Sequence, residues 1–426
     1  MTRVDRDEPT SVLTLRYGAD SSLPLELPTA SLVAYCDAPR GEALTDVAAA
    51  ADRMLAEPLG YPPLAQACVP GDRVVLALAA DVPQAATLVA RTVAVMTNAG
   101  VAPADITLLR ASHTNTNGHD PWAELCAELQ IVSAIHDPQD RNQLGYLAAS
   151  ATGDPIYVNR ALHEADLVLS IDCLRLEESL GYLGINSAIF PTFCDADNLK
   201  RYRLPKSSAP ADQARLRQAA EEAGRLLGVQ FTIQVVPGRG NDVLHVLAGE
   251  LRTVLQEGQH RCEAAWEFAV PKRAALVVTT IEGRAEQTWD NLARALASAA
   301  HAVQEEGAIA VCTELSGELG PALKRMLGCD NPEAAVRNLG RQPLQDSPAA
   351  AELLRALARG KVYLLSSLDH ELVEDLGLLP LEAGQLSRLA ARYGSCIVLT
   401  NAQHAVAHAS SDSAPPRATS RPSRRS

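Results

Sequence analysis

Aromatic residues are scarce in this chain: Phe, Trp and Tyr make up 4% of its 426 residues, although hydrophobic residues reach 47%. The cores must therefore be filled by Ala, Leu and Val, small aliphatics that suit parallel strands covered by helices. No uninterrupted apolar run reaches the ~18–20 residues of a membrane helix. The polar start MTRVDRDEPTS is unlike a secretory signal. Paired cysteines are missing too. Nine cysteines stand singly with no CxxC, which gives no zinc site and reads as buried free thiols in a reducing, cytoplasmic compartment. Positive charge is in deficit, with a formal net charge of −13. That balance argues against nucleic acid, whose phosphates need cations, and favours a small-molecule substrate or ligand. There is no GxxxxGK[ST], no GxGxxG after a strand and no GxSxG elbow.

What is present is an alternation of short β-rich runs and Ala-rich helical stretches. After a preamble with strand candidates at 11–17 and 32–35 and a helix at 44–55, Arg73–Ala79 (RVVLALA) reads as a strand and Ala85–Asn98 as a helix closed near Gly100. Strands at 106–109, 131–135, 156–158, 167–171 and 231–236 follow, with a helix at 121–129. Val243–Glu267 reads as one long helix. A second alternation starts near Lys272, with strands at 274–279, 308–312, 361–366 and 396–400 and helices at 286–305, 319–327 and 381–392. The pattern predicts an α/β protein of two domains, 1–268 and 269–409, each a mostly parallel, doubly wound sheet with helices on both faces. The Ser/Pro/Arg-rich tail, 410–426, reads as disordered.

In such sheets ligands bind beyond the carboxyl ends of the strands. Polar residues cluster there: Asp81 and Gln84 after 73–79, Ser112-His113-Thr114-Asn115 after 106–109, His136-Asp137 after 131–135, and Asp172, Arg175, Glu177 and Glu178 after 167–171. His113 is a general-base candidate, with a capping or structural histidine as the alternative. Adjacent residues of an extended chain point apart, so His136-Asp137 reads as a pair that stabilises its loop near the site. Glu177 and Glu178 read either as metal ligands or as a solvated turn. Gly181-Tyr182-Leu183-Gly184 is an unspecific GxxG.

The order of these pieces resembles the nickel-pincer lactate racemase family (LarA-like). Asp81-Val82-Pro83-Gln84 stands at its D-x-x-R segment, with Gln at the substrate-binding Arg position. Ala111-Ser112-His113 stands at its G-T-H segment and keeps the catalytic His. His136-Asp137, Gly153-Asp154-Pro155-Ile156-Tyr157-Val158-Asn159 and Ala165-Asp166-Leu167-Val168 match the next three segments. The family's H-x-x-x-G-F-S-G-G-x-K-x-x-x-P run aligns with 177–191. There Glu177 replaces the second catalytic His, Gly181 and Gly184 remain, and Ser187 stands at the lysine that tethers the pincer. No histidine lies between His163 and His245 to ligate nickel. Asn291 and Arg294 match loosely a Q-x-x-K pair.

The resemblance therefore implies a racemase or epimerase of 2-hydroxy acids, an isomerase. It places His113 and Glu177 as the acid–base pair, Asp81, Gln84, Asn291 and Arg294 at the substrate, and Ser187, Gly181 and Gly184 at the cofactor position. The implied cofactor is a nickel-pincer nucleotide, whose lysine and nickel-histidine positions are not matched here. The alternative is a catalytically inactive family member that binds a small molecule or regulates a partner.

Overall fold

The computed structural model describes residues 9–111, 120–149, 153, 155–176, 180, 184–203, 210–328, 331, 335, 339, 344 and 346–410. Its strands are, in chain order, β1 (Thr10–Tyr17), β2 (Ser21–Pro28), β3 (Leu32–Cys36), β4 (Val74–Leu78), β5 (Ile106–Ala111), β6 (Val132–His136), β7 (Leu144–Ala149), β8 (Pro155–Asn159) and β9 (Leu167–Cys173). Then come β10 (Phe231–Pro237), β11 (Val243–Gly249), β12 (Glu267–Val270), β13 (Ala274–Thr280), β14 (Val303–Cys312), β15 (Lys361–Leu365), β16 (Leu379–Pro380), β17 (Cys396–Leu399) and β18 (Val406–Ala409).

Two six-stranded sheets organise the chain. The first runs β11-β10-β9-β4-β5-β6 and is parallel except for the antiparallel pair β10–β11. The second runs β16-β15-β14-β13-β17-β3 and is parallel throughout. The α/β class expected from the alternation is the one observed. Central strands are apolar on both faces because helices cover both: all five residues of β4 (VVLAL) and all four of β17 (CIVL) are buried.

The preamble belongs spatially with the later part of the chain. β3 pairs in parallel with β17 at the edge of the second sheet. The β1–β2 hairpin buries Leu15, Leu23, Leu25 and Leu27 against Leu276, Val278, Leu386 and Leu389. The strict alternation of burial along β2 is the half-buried strand pattern.

Three readings of local structure need correction. The stretch 243–267 is β11 followed by a helix, Leu251–Trp266, with a break at Gly249 (φ +139). Glu250 caps that helix, its carboxylate accepting from the backbone N–H groups of Arg252 (3.0 Å) and Thr253 (2.7 Å). An apolar run such as VLHVLA fits a buried strand or a buried helix equally well, so periodicity alone misled. The helix read at 286–305 is shorter, Trp289–Ala300, and begins where Thr288 accepts from the Asn291 N–H; the residues beyond it open β14. The strand at 156–158 is real, but it pairs with β7 in a separate antiparallel hairpin rather than joining a main sheet. The tail reading from 411 onward lies outside the described residues.

One apolar cluster joins the two sheet units. Leu174, Ile185, Val236 and Leu247 from the first pack with Trp266, Val277, Ile281, Ala402 and Ala405 of the second. The eight described cysteines are all buried and unpaired; burial pushes the thiols of Cys173 and Cys396 up to about 12.

Candidate active site

The strand order reverses at one place in each sheet. In the first, β5 lies on one side of β4 and β9 on the other; in the second, β14 and β17 flank β13. Such switch points open a crevice at the carboxyl ends of the two diverging strands. Asp81 follows β4, and Asp172 and Arg175 close β9. Glu286, Asn291 and Arg294 follow β13, and Gln403 and His404 follow β17. The two crevices meet, because side chains from both interact.

Arg294 is the hinge of this polar cluster. It lies on the helix Trp289–Ala300, donates from Nη1 to Asn291 Oδ1 at 2.6 Å, and approaches the Asp81 carboxylate of the first unit at 3.8 Å. Asn291 in turn donates from Nδ2 to the Glu286 backbone carbonyl (3.0 Å) and carboxylate (2.6 Å). Across from Glu286 stands the His404 imidazole, 3.6 Å from Nε2 to the carboxylate oxygen, longer than an ordinary hydrogen bond. The Trp266 ring packs on His404 with centroids 5.2 Å apart.

Charges are coupled here because water is largely excluded. Burial alone would raise the Glu286 carboxyl, but His404, Arg175 and Arg294 together hold it below the usual range. Burial lowers His404, and the two guanidinium groups lower it further against the pull of Glu286. Burial also lowers Arg294, reinforced by the like charge of Arg175. Asp172 is pushed up to about 6 by burial, opposed by the N–H of Cys173 (2.7 Å), by Arg175 and Arg294, and by the N–H of Ala188. Ala188 belongs to the turn 185–190, so Ser187 is brought next to the end of β9.

The residues expected at the site divide as follows. Asp81, Asn291 and Arg294 come together. Gln84 caps the helix Ala85–Asn98 in a left-handed conformation, φ +54. Its backbone N–H donates to Asn241 Oδ1 (3.0 Å) and its Nε2 to the Asn241 carbonyl (3.2 Å), so its side chain is directed to the β10–β11 turn. Ser187 is buried, its carbonyl accepting from Thr192 Oγ1 at 2.7 Å and its N–H donating to Gly184 O. Gly184 has φ +94, where a side chain would be strained. His136 is buried away from the cluster, bonded to Cys194 O (2.9 Å) and to Asn159 Nδ2 (3.1 Å), with Phe193 edge-on to its ring. Asp137 accepts from the Gln139 N–H at 2.8 Å and shapes its own loop. His113, Glu177 and Gly181 lie outside the described residues.

Glu286, Gln403 and His404 were not picked out from the sequence. The available signal was position: each lies just after a strand that flanks the switch point of the second sheet, the criterion applied only to the first.

Among the described residues no group of three or more His, Cys, Asp or Glu side chains could hold a metal ion. Ser187 offers a hydroxyl where an amine would be required for an amide link. These residues do not fit a lysine-tethered nickel group.

The fold and this crevice define a two-sheet α/β protein with a buried polar cluster where its two sheet units meet. Residues 17–204 match the lactate racemase N-terminal domain family. The lactate racemase apoprotein from Thermoanaerobacterium thermosaccharolyticum is similar in structure, with a TM-score of 0.75 at 17% identity over 93% of this chain and 100% of that one. A protein from Thermotoga maritima is similar with a TM-score of 0.61 at 13% identity, over 85% and 97%. No curated protein matches in sequence. The N-terminal part of the chain thus resembles the lactate racemase N-terminal domain family, and the chain as a whole shares the fold of the lactate racemase apoprotein. No described helix is long and apolar enough to cross a membrane.

Proposed function

We propose that this protein is a racemase- or epimerase-type isomerase of small 2-hydroxy acids, working without a lysine-tethered nickel-pincer group. The observation that supports this most is the meeting of Asp81, Asn291, Arg294, Glu286 and Arg175 where two switch points face each other. Guanidinium groups in such a place suit a carboxylate, and a crevice between two sheet units suits a small ligand. His113 and Glu177 are the acid–base pair of this reading. A carboxylate serves as a base as an imidazole does.

The second reading, a binding or regulatory module without turnover, is favoured by Gln84 being engaged with Asn241 and by Ser187 at the tether position. One experiment separates the two. The purified full chain is incubated with single enantiomers of lactate and related 2-hydroxy acids in D2O and followed by chiral chromatography, with nickel content and intact mass measured on the same sample. The isomerase reading expects interconversion that falls roughly a hundredfold or more in His113→Ala, and an unmodified mass. Ligand binding with no interconversion supports the module instead. Stoichiometric nickel with a covalent adduct would overturn the cofactor statement.

A further inference from the structure

We propose that loop 81–84, the β10–β11 turn at 237–242 and loop 281–286 form a latch between the two sheet units, coupling Gln84 in the first to Glu286 in the second. The latch needs neither ligand nor turnover and is independent of the function proposed above.

Its first contact lies within the first unit. Asp81 and Gln84 both have left-handed backbones, φ +57 and +54. A residue with a side chain keeps that conformation only where its surroundings hold it. Arg294 stands 3.8 Å from Asp81. Asn241, in the turn, holds Gln84 twice: its Oδ1 accepts from the Gln84 backbone N–H (3.0 Å) and its carbonyl from Gln84 Nε2 (3.2 Å). The resemblance puts a substrate-binding arginine at position 84; here the residue serves the latch.

The turn itself is stiff. Gly238 N–H donates to Asp242 O at 2.7 Å, Asp242 N–H to Arg239 O at 2.9 Å, and Trp266 Nε1 to Pro237 O at 3.0 Å. A stiff turn passes a displacement at Asn241 on to Arg239 and Gly240.

Those two residues make the second contact, on the carboxyl ends of the second sheet. Arg239 binds Asp37, after β3, at 2.7 Å and approaches Glu282, after β13, at 3.8 Å. Gly240 lies against Gly283 backbone to backbone. A Cβ on Gly283 would stand 2.6 Å from Gly240 Cα and 3.1 Å from Glu286 Cγ. Glycine is therefore required at the contact, and the Glu286 side chain packs over the same spot. Gly283 N–H donates to Gly18 O at 2.7 Å and its carbonyl accepts from Gln287 Nε2 at 2.8 Å, so loop 281–286 is backed by the β1–β2 turn and by its own following residue.

The contacts close into a ring. From Glu286 they run through Asn291 (2.6 Å) and Arg294 (2.6 Å) back to Asp81, in the same loop as Gln84. A contiguous ring of packed and hydrogen-bonded groups couples its members in both directions.

The test is hydrogen exchange of the full chain read by mass spectrometry, with thermal melting as the check on folding. The double variant Gln84→Ala/Asn241→Ala cuts the first contact and touches nothing in the second sheet. It is expected to speed exchange at residues 281–288 about tenfold or more, with β17 unchanged. Gly283→Ala crowds the second contact and should speed exchange at residues 81–88 in return. His136→Leu, placed in the first unit away from the latch, is the control and should leave 281–288 as in the parent. Exchange at 281–288 within about twofold of the parent in the folded double variant would overturn the proposal. So would an equal acceleration there in His136→Leu, which would mark general loosening. If Gly283→Ala does not fold, the double variant decides alone.

Discussion

Arg294, on a helix of the second sheet unit, reaches to 3.8 Å from the carboxylate of Asp81, at a strand end of the first. The Arg294 side chain is 13% exposed and that of Asp81 31%, so the contact is partly shielded from solvent. It is a polar tie across the crevice, set against a continuous apolar cluster that holds the two units together. Removing the carboxylate leaves Arg294 with Asn291 as its hydrogen-bonded partner. Asp81→Asn should lower the unfolding free energy by about 1 kcal/mol, between the exposed and buried limits for such pairs. Urea denaturation measures it; a change below ~0.3 kcal/mol would show that the contact is idle.

Glu286 is more demanding. It is 6% exposed, receives Asn291, and compensates both guanidinium groups and His404. Truncation strands buried positive charge, so Glu286→Ala should cost about 3–5 kcal/mol, the range for breaking a buried pair on one side. Replacing both Glu286 and Arg294 by apolar residues should cost less than the sum of the singles, and a double-mutant cycle reads the difference.

How far this was legible in the sequence depends on the residue. The strand runs VVLAL, LVLSI and CIVL are short, apolar and bounded by turns, so they stand out without any tertiary information. The placement of Asp81 at a strand end followed from them. β3 could not be assigned to the second sheet, because its partner β17 is more than 350 residues away and pairing at that distance leaves no local trace. The strand β11 was hidden by a helix-compatible apolar run. At the site, Arg294 and Asn291 were reachable through a loose motif. Gln403 and His404 were not, since their role comes from two sheets meeting and no spacing encodes that.

His136 shows the opposite outcome for a histidine. It sits beside an aspartate in sequence, yet its ring is buried between Asn159, the Cys194 carbonyl and Phe193, and burial lowers its pKa. It ties the end of β6 to the 185–195 segment. His136→Leu should destabilise the fold by about 1–3 kcal/mol, the cost of leaving buried polar partners unsatisfied, while leaving ligand affinity of the folded fraction within about twofold. A loss of binding larger than the loss of folded protein would place His136 in the site after all.

Asp172 gives a pH signature. Its folded pKa is raised to about 6 from the ordinary 3.8 of an aspartate, by burial against the opposing pull of two backbone N–H groups, Arg175 and Arg294. Between those two values the folded state binds more protons than the unfolded one, so this group's contribution to stability falls as pH rises. The contribution is fully present below about 4 and gone above about 6. The gap corresponds to roughly 3 kcal/mol at most. Asp172→Asn removes the ionisable group, so the variant should gain on the parent steadily from pH 4 to pH 7 and stay ahead at pH 8. A negative charge on Asp172 also opposes any anion seated on Arg175 and Arg294, so lactate should bind the parent more tightly at pH 5 than at pH 8, with a smaller pH effect in the variant. Unfolding free energies and calorimetric affinities at four pH values test both. Parallel stability curves for parent and variant would show that Asp172 does not titrate in this window.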